Sequence, residues 1–280
     1  MSLLFRQLRG ELQKLFARKR TYIGFGAFLV LEILIIALFQ LQKVQRSWRF
    51  LIERAGGGFE TYFSGLTLAL IVVMATFLLT MLFLALIGGD VVSKEVEEGT
   101  MRMTLCRPIS RVRLLLIKYA ACVIYTFALI LFVGGSALAA GLIRQGSGGL
   151  FVMAPEQRIF TLYEWHEGLL RYGAALCFCA LSFLSITTLS FMLSCFNMKP
   201  AAATIVTLAA FVIDWIFFHL PYFESIKEYF ITRNMETWVN IFRYRIPWTQ
   251  MTQDYAYLIA VDATFVIIGI LNFQQRDFKS

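Results

Sequence analysis

The sequence predicts an all-α membrane protein with six transmembrane helices, and its composition and its apolar runs carry that prediction. Of the 280 residues, 59% are hydrophobic and 16% are charged, whereas soluble domains average about 25% charged residues. Several uncharged apolar runs reach the ~20 residues that cross a bilayer as a helix. Lipid offers backbone groups no hydrogen-bond partner, so these runs are expected to be helical.

The first twenty residues predict an amphipathic helix that lies in the membrane interface on the cytoplasmic side. Leu4, Leu8, Leu12 and Leu15 recur at spacings of three and four residues, which places them on one helix face. The polar flank is basic: Arg6, Arg9, Lys14, Arg18, Lys19 and Arg20. A helix with this division lies flat on a membrane.

Six spans follow, at about 21–40, 65–87, 119–143, 172–196, 201–220 and 255–273. The fourth and fifth are joined by a tight turn, after which Pro200 suits the first turn of a helix. The distribution of Lys and Arg favours N- and C-termini in the cytoplasm. The expected location is the plasma membrane of a bacterial cell, with the chain as a multi-pass protein. The segment 41–64, with Lys43, Arg46, Arg49 and Arg54, is basic for an outer loop.

The last outer loop, 221–254, is rich in aromatic residues and carries both signs of charge. Aromatic side chains favour the membrane–water interface. We therefore expect short amphipathic helices on the outer leaflet. The whole chain is predicted to be one transmembrane domain, 1–280.

The charged segment 90–118 interrupts the apolar runs and carries six Lys or Arg residues against four acids. Gly99 is expected to end the helix that continues the second span. Thr100 then caps a short helix that reaches about Cys106, and Pro108 breaks it. Ser110 is expected to cap the helix of the third span. The pattern predicts a stiff short helix at the tip of a cytoplasmic loop.

The stretch EGTMRMTLCRPISR, which starts at Glu98, and the aliphatic run Leu114–Lys118 after it resemble the signature loop of type-2 ABC transporter permeases. The resemblance implies that 90–118 is a coupling loop, whose coupling helix between spans two and three docks into a separate ATP-binding subunit. It also implies two permeases, as two copies or as one copy with a related permease, and two ATPases. The expected function is the permease subunit of an ATP-driven exporter.

The docking residues that this resemblance implies lie around the short helix: Glu95, Glu97, Glu98, Gly99, Thr100, Met101, Arg102, Met103, Arg107, Pro108 and Arg111. The chain has no G-x-x-x-x-G-K-[ST] phosphate loop. ATP and magnesium are therefore expected on the partner subunit, with no cofactor, no catalytic residue and no enzymatic activity in this chain.

Three carboxylates lie inside predicted spans: Glu32, Asp214 and Asp262. A charge within a span is costly, so such residues usually face a bundle interior or water. They could line a transport path, or be protonated or bonded to a neighbouring helix. Two other functions stay open, a proton-coupled secondary transporter that uses these carboxylates and a membrane scaffold without transport. Lipid, peptide, drug, ion and polysaccharide cargoes all stay open.

Several other classes of site are disfavoured by the sequence. The net charge of +8 comes from bases beside spans, which favours anionic headgroups over nucleic acid as the partner. Cys177 and Cys179 point apart on a helix, which makes a poor metal site.

Small residues between Gly134 and Gly141 predict close helix packing in the third span.

Overall fold

The computed structural model describes residues 3–106 and 110–276. Within them, the secondary structure is helical except for one β-hairpin. Six of the helices are long and apolar enough to cross a membrane. The prediction of an all-α, multi-pass membrane protein is confirmed at this level, and the hairpin is an addition that the sequence had not predicted.

The first half of the chain forms eight helices, which are α1 (Leu3–Ala17), α2 (Lys19–Leu38), α3 (Gln42–Arg54), α4 (Phe59–Tyr62), α5 (Gly65–Ala75), α6 (Phe77–Glu97), α7 (Thr100–Leu105) and α8 (Arg111–Gln145). The second half contains β1 (Leu150–Ala154), β2 (Ile159–Tyr163), α9 (Trp165–Cys195), α10 (Pro200–His219), α11 (Ile231–Met235) and α12 (Trp248–Gln275). Two 3₁₀ segments, Pro221–Tyr229 and Glu236–Phe242, flank α11.

The second predicted span is two helices, since α5 and α6 meet at Thr76. The Thr76 hydroxyl donates to the carbonyl of Val73 at 3.1 Å, while the Thr80 amide still bonds to the Thr76 carbonyl. A threonine side chain that binds the preceding turn commonly bends a helix. The interruption is therefore a local bend in an otherwise continuous backbone ladder.

The long helices alternate in direction and define two ends of the bundle. At the α7 end lie α1, α7, the starts of α2, α8 and α10, and the ends of α6, α9 and α12. The opposite end, called the hairpin end below, carries α3, the hairpin and the 3₁₀ segments. At the α7 end, Arg111 donates to the carbonyls of Gln274 and Arg276, and Arg276 donates to that of Phe196. The starts and ends of three long helices are thereby tied together.

The β-hairpin lies where the sequence predicted a loop between the third and fourth spans. β1 and β2 pair antiparallel, and Arg158 in the turn between them has a φ of 55°. The Thr161 and Tyr163 hydroxyls both donate to the carbonyl of Phe242. The prediction missed the hairpin because both strands are apolar and short, so that periodicity alone did not separate them from loop residues.

Segment 41–64, predicted as a loop, forms α3 and α4. Ile52 of α3 is fully buried and packs in a small apolar cluster with Phe63 and Phe151. Trp48 and Phe39 lie against the same cluster. α3 is therefore held to the hairpin by its apolar face, while its opposite face stays exposed.

Glycine permits the closest approach between helices, where α5 crosses α8. A Cβ atom placed on Gly65 would lie 2.7 Å from the carbonyl carbon of Gly141. Gly134, about two turns earlier in α8, packs against the side chain of Leu176 in α9. The small residues of the third span thus serve the helix contacts for which the sequence predicted them.

Candidate functional site

A buried lysine joins three helices at the α7 end. Lys118 in α8 is 1% exposed, and its Nζ lies 2.8 Å from Glu11 Oε2 of α1. The same Nζ lies 2.8 Å from Glu95 Oε1 of α6. An unpaired ammonium in such a place would cost several kcal/mol, so the two carboxylates determine how these helices pack.

Lys14 completes this arrangement, which is called the charge cluster below and comprises Glu11, Lys14, Glu95 and Lys118. Lys14 Nζ lies 2.7 Å from Glu11 Oε1 and 3.4 Å from Glu95 Oε1. Two bases and two acids balance, so the cluster carries no net formal charge. It connects α1 to the end of α6 and the start of α8.

The titration behaviour of α1 follows from the charge cluster. Burial by itself would raise the pKa of Glu11, but Lys118 and Lys14 outweigh it, and the pKa lies below its ordinary value. For Lys14, burial would lower the pKa, but Glu11 and Glu95 outweigh it and the pKa is raised. Both groups are therefore held in their charged forms across the physiological range.

A second ion pair lies one turn further into the bundle. Arg20 at the start of α2 lies 2.9 Å from the buried carboxylate of Asp90 in α6. With the charge cluster, this contact fixes both ends of the short α1–α2 connection onto α6. The connection and the end of α6 therefore form one packed unit.

α7 begins where the sequence predicted the break. Gly99 has a φ of 71°, a left-handed conformation that favours glycine at the end of a helix. The Thr100 hydroxyl donates to the carbonyl of Glu95 at 3.2 Å, and Ser110 caps α8 by accepting from the Arg113 amide. The predicted helix, short helix and capped helix are all present.

Burial divides the eleven predicted docking residues. Glu95 is buried in the charge cluster, and Met101 is 1% exposed in the main apolar core. Neither side chain can contact a partner, so these two predicted docking residues are corrected to internal positions. The reason is that the short helix packs one face back onto α6.

The remaining predicted docking residues fall into three groups. Glu97, Glu98 and Gly99 are exposed, Met103 is 68% exposed, and Thr100 is half-buried. Arg111 is half-buried and bonds to the end of α12. The side chain of Arg102, and residues Arg107 and Pro108 as a whole, lie outside the described part of the structure.

A cleft of about 680 Å³ opens beside this surface, between α2, α6 and α10. Its walls carry the Arg20–Asp90 pair, Lys94, Glu97 and Lys199. Charges of both signs line it together with apolar side chains, among them Leu86 and Ile205. The cleft lies beside the exposed tip of α6 at the α7 end.

Glu32 is 2% exposed and faces α8, where it accepts a hydrogen bond from the Ser136 hydroxyl at 2.7 Å. Ser136 also lies within hydrogen-bond distance of the carbonyls of Phe132 and Val133. Of the predicted alternatives, this geometry matches an acid bonded to a neighbouring helix.

Asp214 is a structural partner of α11. Its Oδ2 accepts from the backbone amide of Thr232 at 2.8 Å and from the Thr232 hydroxyl at 2.7 Å. This carboxylate thus accepts hydrogen bonds from the first turn of a short helix at the hairpin end, as a capping side chain does.

Among the described residues 3–106 and 110–276, Asp262 is the one of the three carboxylates with a fully buried oxygen that makes no hydrogen bond of ordinary geometry. Its Oδ1 and the hydroxyl of Ser185 are buried close to each other. Ser185 belongs to a group of buried hydroxyls on α9, which comprises Ser182, Ser185, Thr187, Thr188, Ser190 and Ser194. Asp262 therefore lies beside one of these hydroxyls, that of Ser185, inside the bundle.

Sequence reasoning missed Glu11, Lys14 and Lys118 as a site. One signal was present, because Glu11 is the only acid among the first twenty residues. Its partner could not be identified from sequence, since 107 residues separate it from Lys118. In the described part of the chain, no group of three or more His, Cys, Asp and Glu side chains could hold a metal ion.

Two comparisons place the chain among known proteins. Residues 20–279 match a family model described as "Protein of unknown function (DUF2705)". The "Uncharacterized protein YhcI" of Bacillus subtilis (strain 168) is 38% identical over 74 residues, which are 26% of this chain and 23% of that protein. The chain thus aligns with less than a quarter of that relative's length.

Proposed function

The chain belongs to the DUF2705 family of proteins of unknown function, and we propose that it is the membrane-spanning permease subunit of an ATP-driven exporter. ATP and magnesium would be bound by a separate ATPase subunit. The observation that carries the proposal is the geometry of the α7 end. There the exposed short helix α7 is attached to α6, and the charge cluster holds α6 and α8 together.

The exposed side of α7 supplies a contact surface. Met103 presents an apolar side chain to solvent, and Glu97 and Glu98 are exposed at the tip of α6 beside it. An exposed apolar side chain next to charges is typical of the centre and rim of a protein interface. A soluble ATPase bound here would contact α7 first.

The buried side of α7 would transmit a movement of this helix to the long helices. Thr100 bonds to the Glu95 carbonyl, and Met101 is buried in the core, so a displacement of α7 moves the end of α6. Lys118 then passes that displacement to α8 and α1 through Glu95 and Glu11. ATP would drive transport by favouring one of two arrangements of this unit.

The proposal extends to the assembly and the location. Two copies, or one copy and a related permease, would line the path together. The α7 end would face the cytoplasm of a bacterial cell, which places both termini inside. Asp262 is the carboxylate we assign to the path, because Glu32 and Asp214 already have structural partners.

The test is purification of the tagged chain from its native membrane, followed by sequencing of co-purified proteins and an ATPase assay. We expect a soluble chain that carries a G-x-x-x-x-G-K-[ST] loop. Met103→Asp should reduce its recovery and the vanadate-sensitive ATPase activity. Phe160→Asp changes a similarly exposed apolar residue at the hairpin end and should reduce neither.

Two outcomes would overturn the proposal. One is a purified complex that contains no protein with a phosphate loop. The other is equal recovery of the ATPase with Met103→Asp and Phe160→Asp, which would place the contact elsewhere on the chain.

A further inference from the structure

α3 lies where the first span leaves the membrane. α2 ends at Leu38 and α3 begins at Gln42, and the turn between them is closed by backbone bonds from Gln40 to Ala37 and from Leu41 to Leu38. So short a turn keeps α3 at the membrane surface. The apolar cluster around Ile52 fixes its inner face.

The outer face of α3 is basic with an aromatic residue at its centre. Lys43, Arg46 and Arg54 are exposed, and Phe50 is 63% exposed among them. The spacing of these four residues puts them on one side of a helix. Arg49 is excluded from this set because its guanidinium packs over the ring of Phe59 at 4.7 Å.

We propose that this face of α3 binds the anionic headgroups of phospholipids, with Phe50 inserted at the acyl boundary. Basic residues beside an exposed aromatic ring form the polar and apolar parts of an interfacial helix. Anionic headgroups attract each such cation over a short distance. Water alone would leave the Phe50 ring unfavourably exposed among the three charges.

This binding also accounts for the charge of the 41–64 segment. Basic outer loops are unusual under the positive-inside rule. The cations of α3 that pair with headgroups at the hairpin end would bind lipid, and they would also help to orient the protein in the membrane. The inference depends on the position of α3 at the membrane and is independent of the export proposal.

The test uses Phe50→Trp protein in vesicles of phosphatidylcholine, to which a brominated lipid is added. Quenching is compared with that of wild-type protein, so that the signal of the introduced tryptophan is obtained by difference. We expect brominated phosphatidylglycerol to quench this tryptophan more strongly than brominated phosphatidylcholine does. Added salt should remove the difference, because exposed charges are screened.

Charge variants in the Phe50→Trp background identify the cations responsible. Lys43→Gln/Arg46→Gln/Arg54→Gln should lower the preference for phosphatidylglycerol by roughly 10- to 100-fold, since each of the three cations near an anionic surface contributes roughly a fivefold preference. The control Arg144→Gln/Arg158→Gln/Arg245→Gln removes three exposed cations from other parts of the hairpin end and should keep the preference.

Three results would overturn the inference. Equal quenching by the two lipids would show that α3 does not select anionic headgroups. No quenching by either lipid would show that position 50 lies outside the membrane. Equal loss in both triple variants would assign the preference to net charge. If the α3 variant does not fold, the salt dependence of the parent protein decides the question.

Discussion

Lys118 Nζ lies 2.8 Å from Glu95 Oε1, and this contact ties the start of α8 to the end of α6 beside α7. The second partner, Glu11, brings the amphipathic α1 into the same cluster. The N-terminal helix is thus part of the bundle at this end, and α1, α6 and α8 share one set of buried charges.

Removal of the central lysine should be strongly destabilising. Lys118→Met removes the buried partner of Glu11 and Glu95 and leaves them only the more exposed Lys14 within the charge cluster. A buried ion pair broken by the loss of one partner costs ~3–5 kcal/mol. The triple variant Glu11→Gln/Glu95→Gln/Lys118→Met should recover most of the loss. Denaturant unfolding in detergent measures both. Equal stability of the single and triple variants would contradict the assigned charge cluster.

The contribution of Glu11 should vanish in acid. Its pKa is lowered from an ordinary value of 4.5, so its stabilising effect is fully present above that value and is lost as the pH falls through the folded pKa. The unfolding temperatures of wild type and Glu11→Gln should therefore differ at neutral pH and converge in acid. Glu60→Gln, which changes an exposed acid at the hairpin end outside the charge cluster, is the matched control. A gap that persists in acid would refute this assignment.

The contact between Glu32 and Ser136 should appear as a coupling energy. Ser136→Ala leaves a buried carboxylate oxygen without its donor, which costs ~1–3 kcal/mol. In a Glu32→Leu background the same change should cost little, because no carboxylate remains to be satisfied. A double-mutant cycle of unfolding free energies measures the difference. Equal costs in both backgrounds would argue against the contact.

Asp214 should act as a cap for α11. Asp214→Ala removes the acceptor of the Thr232 amide and should cost ~1 kcal/mol, as the loss of a helix cap does. Asp214→Asn retains a side-chain oxygen and should lose less. Hydrogen exchange of the 231–235 segment reports the effect locally. Equal exchange in the alanine and asparagine variants would show that the carboxylate does not hold this helix.

The spans and the break points at Gly99 and Ser110 could be predicted from sequence because they depend on local properties. Apolar length determines the spans, and a left-handed glycine and a serine cap act within a few residues of where they lie. The β-hairpin and α3 were missed, since both are stabilised by contacts with distant segments, such as Ile52 with Phe151.

The burial of the predicted docking residues agrees with an exposed surface for some of them and not for others. The exposed residues Glu97, Glu98 and Met103 lie where the sequence placed a contact surface. Glu95 and Met101 differ because helical spacing alone did not show which face of 95–105 packs inward. The partnership of Lys118 with Glu11 depends on a tertiary contact that no local pattern encodes.

The most direct test of the account is site-specific crosslinking from the exposed tip of α7. A photoreactive amino acid at Met103, in membranes of the native cell, should crosslink to a soluble protein with a phosphate loop. The same amino acid at Phe160, at the hairpin end, should not crosslink to that protein. Crosslinking from both positions, or from neither, would contradict the claim that the α7 end receives the ATPase.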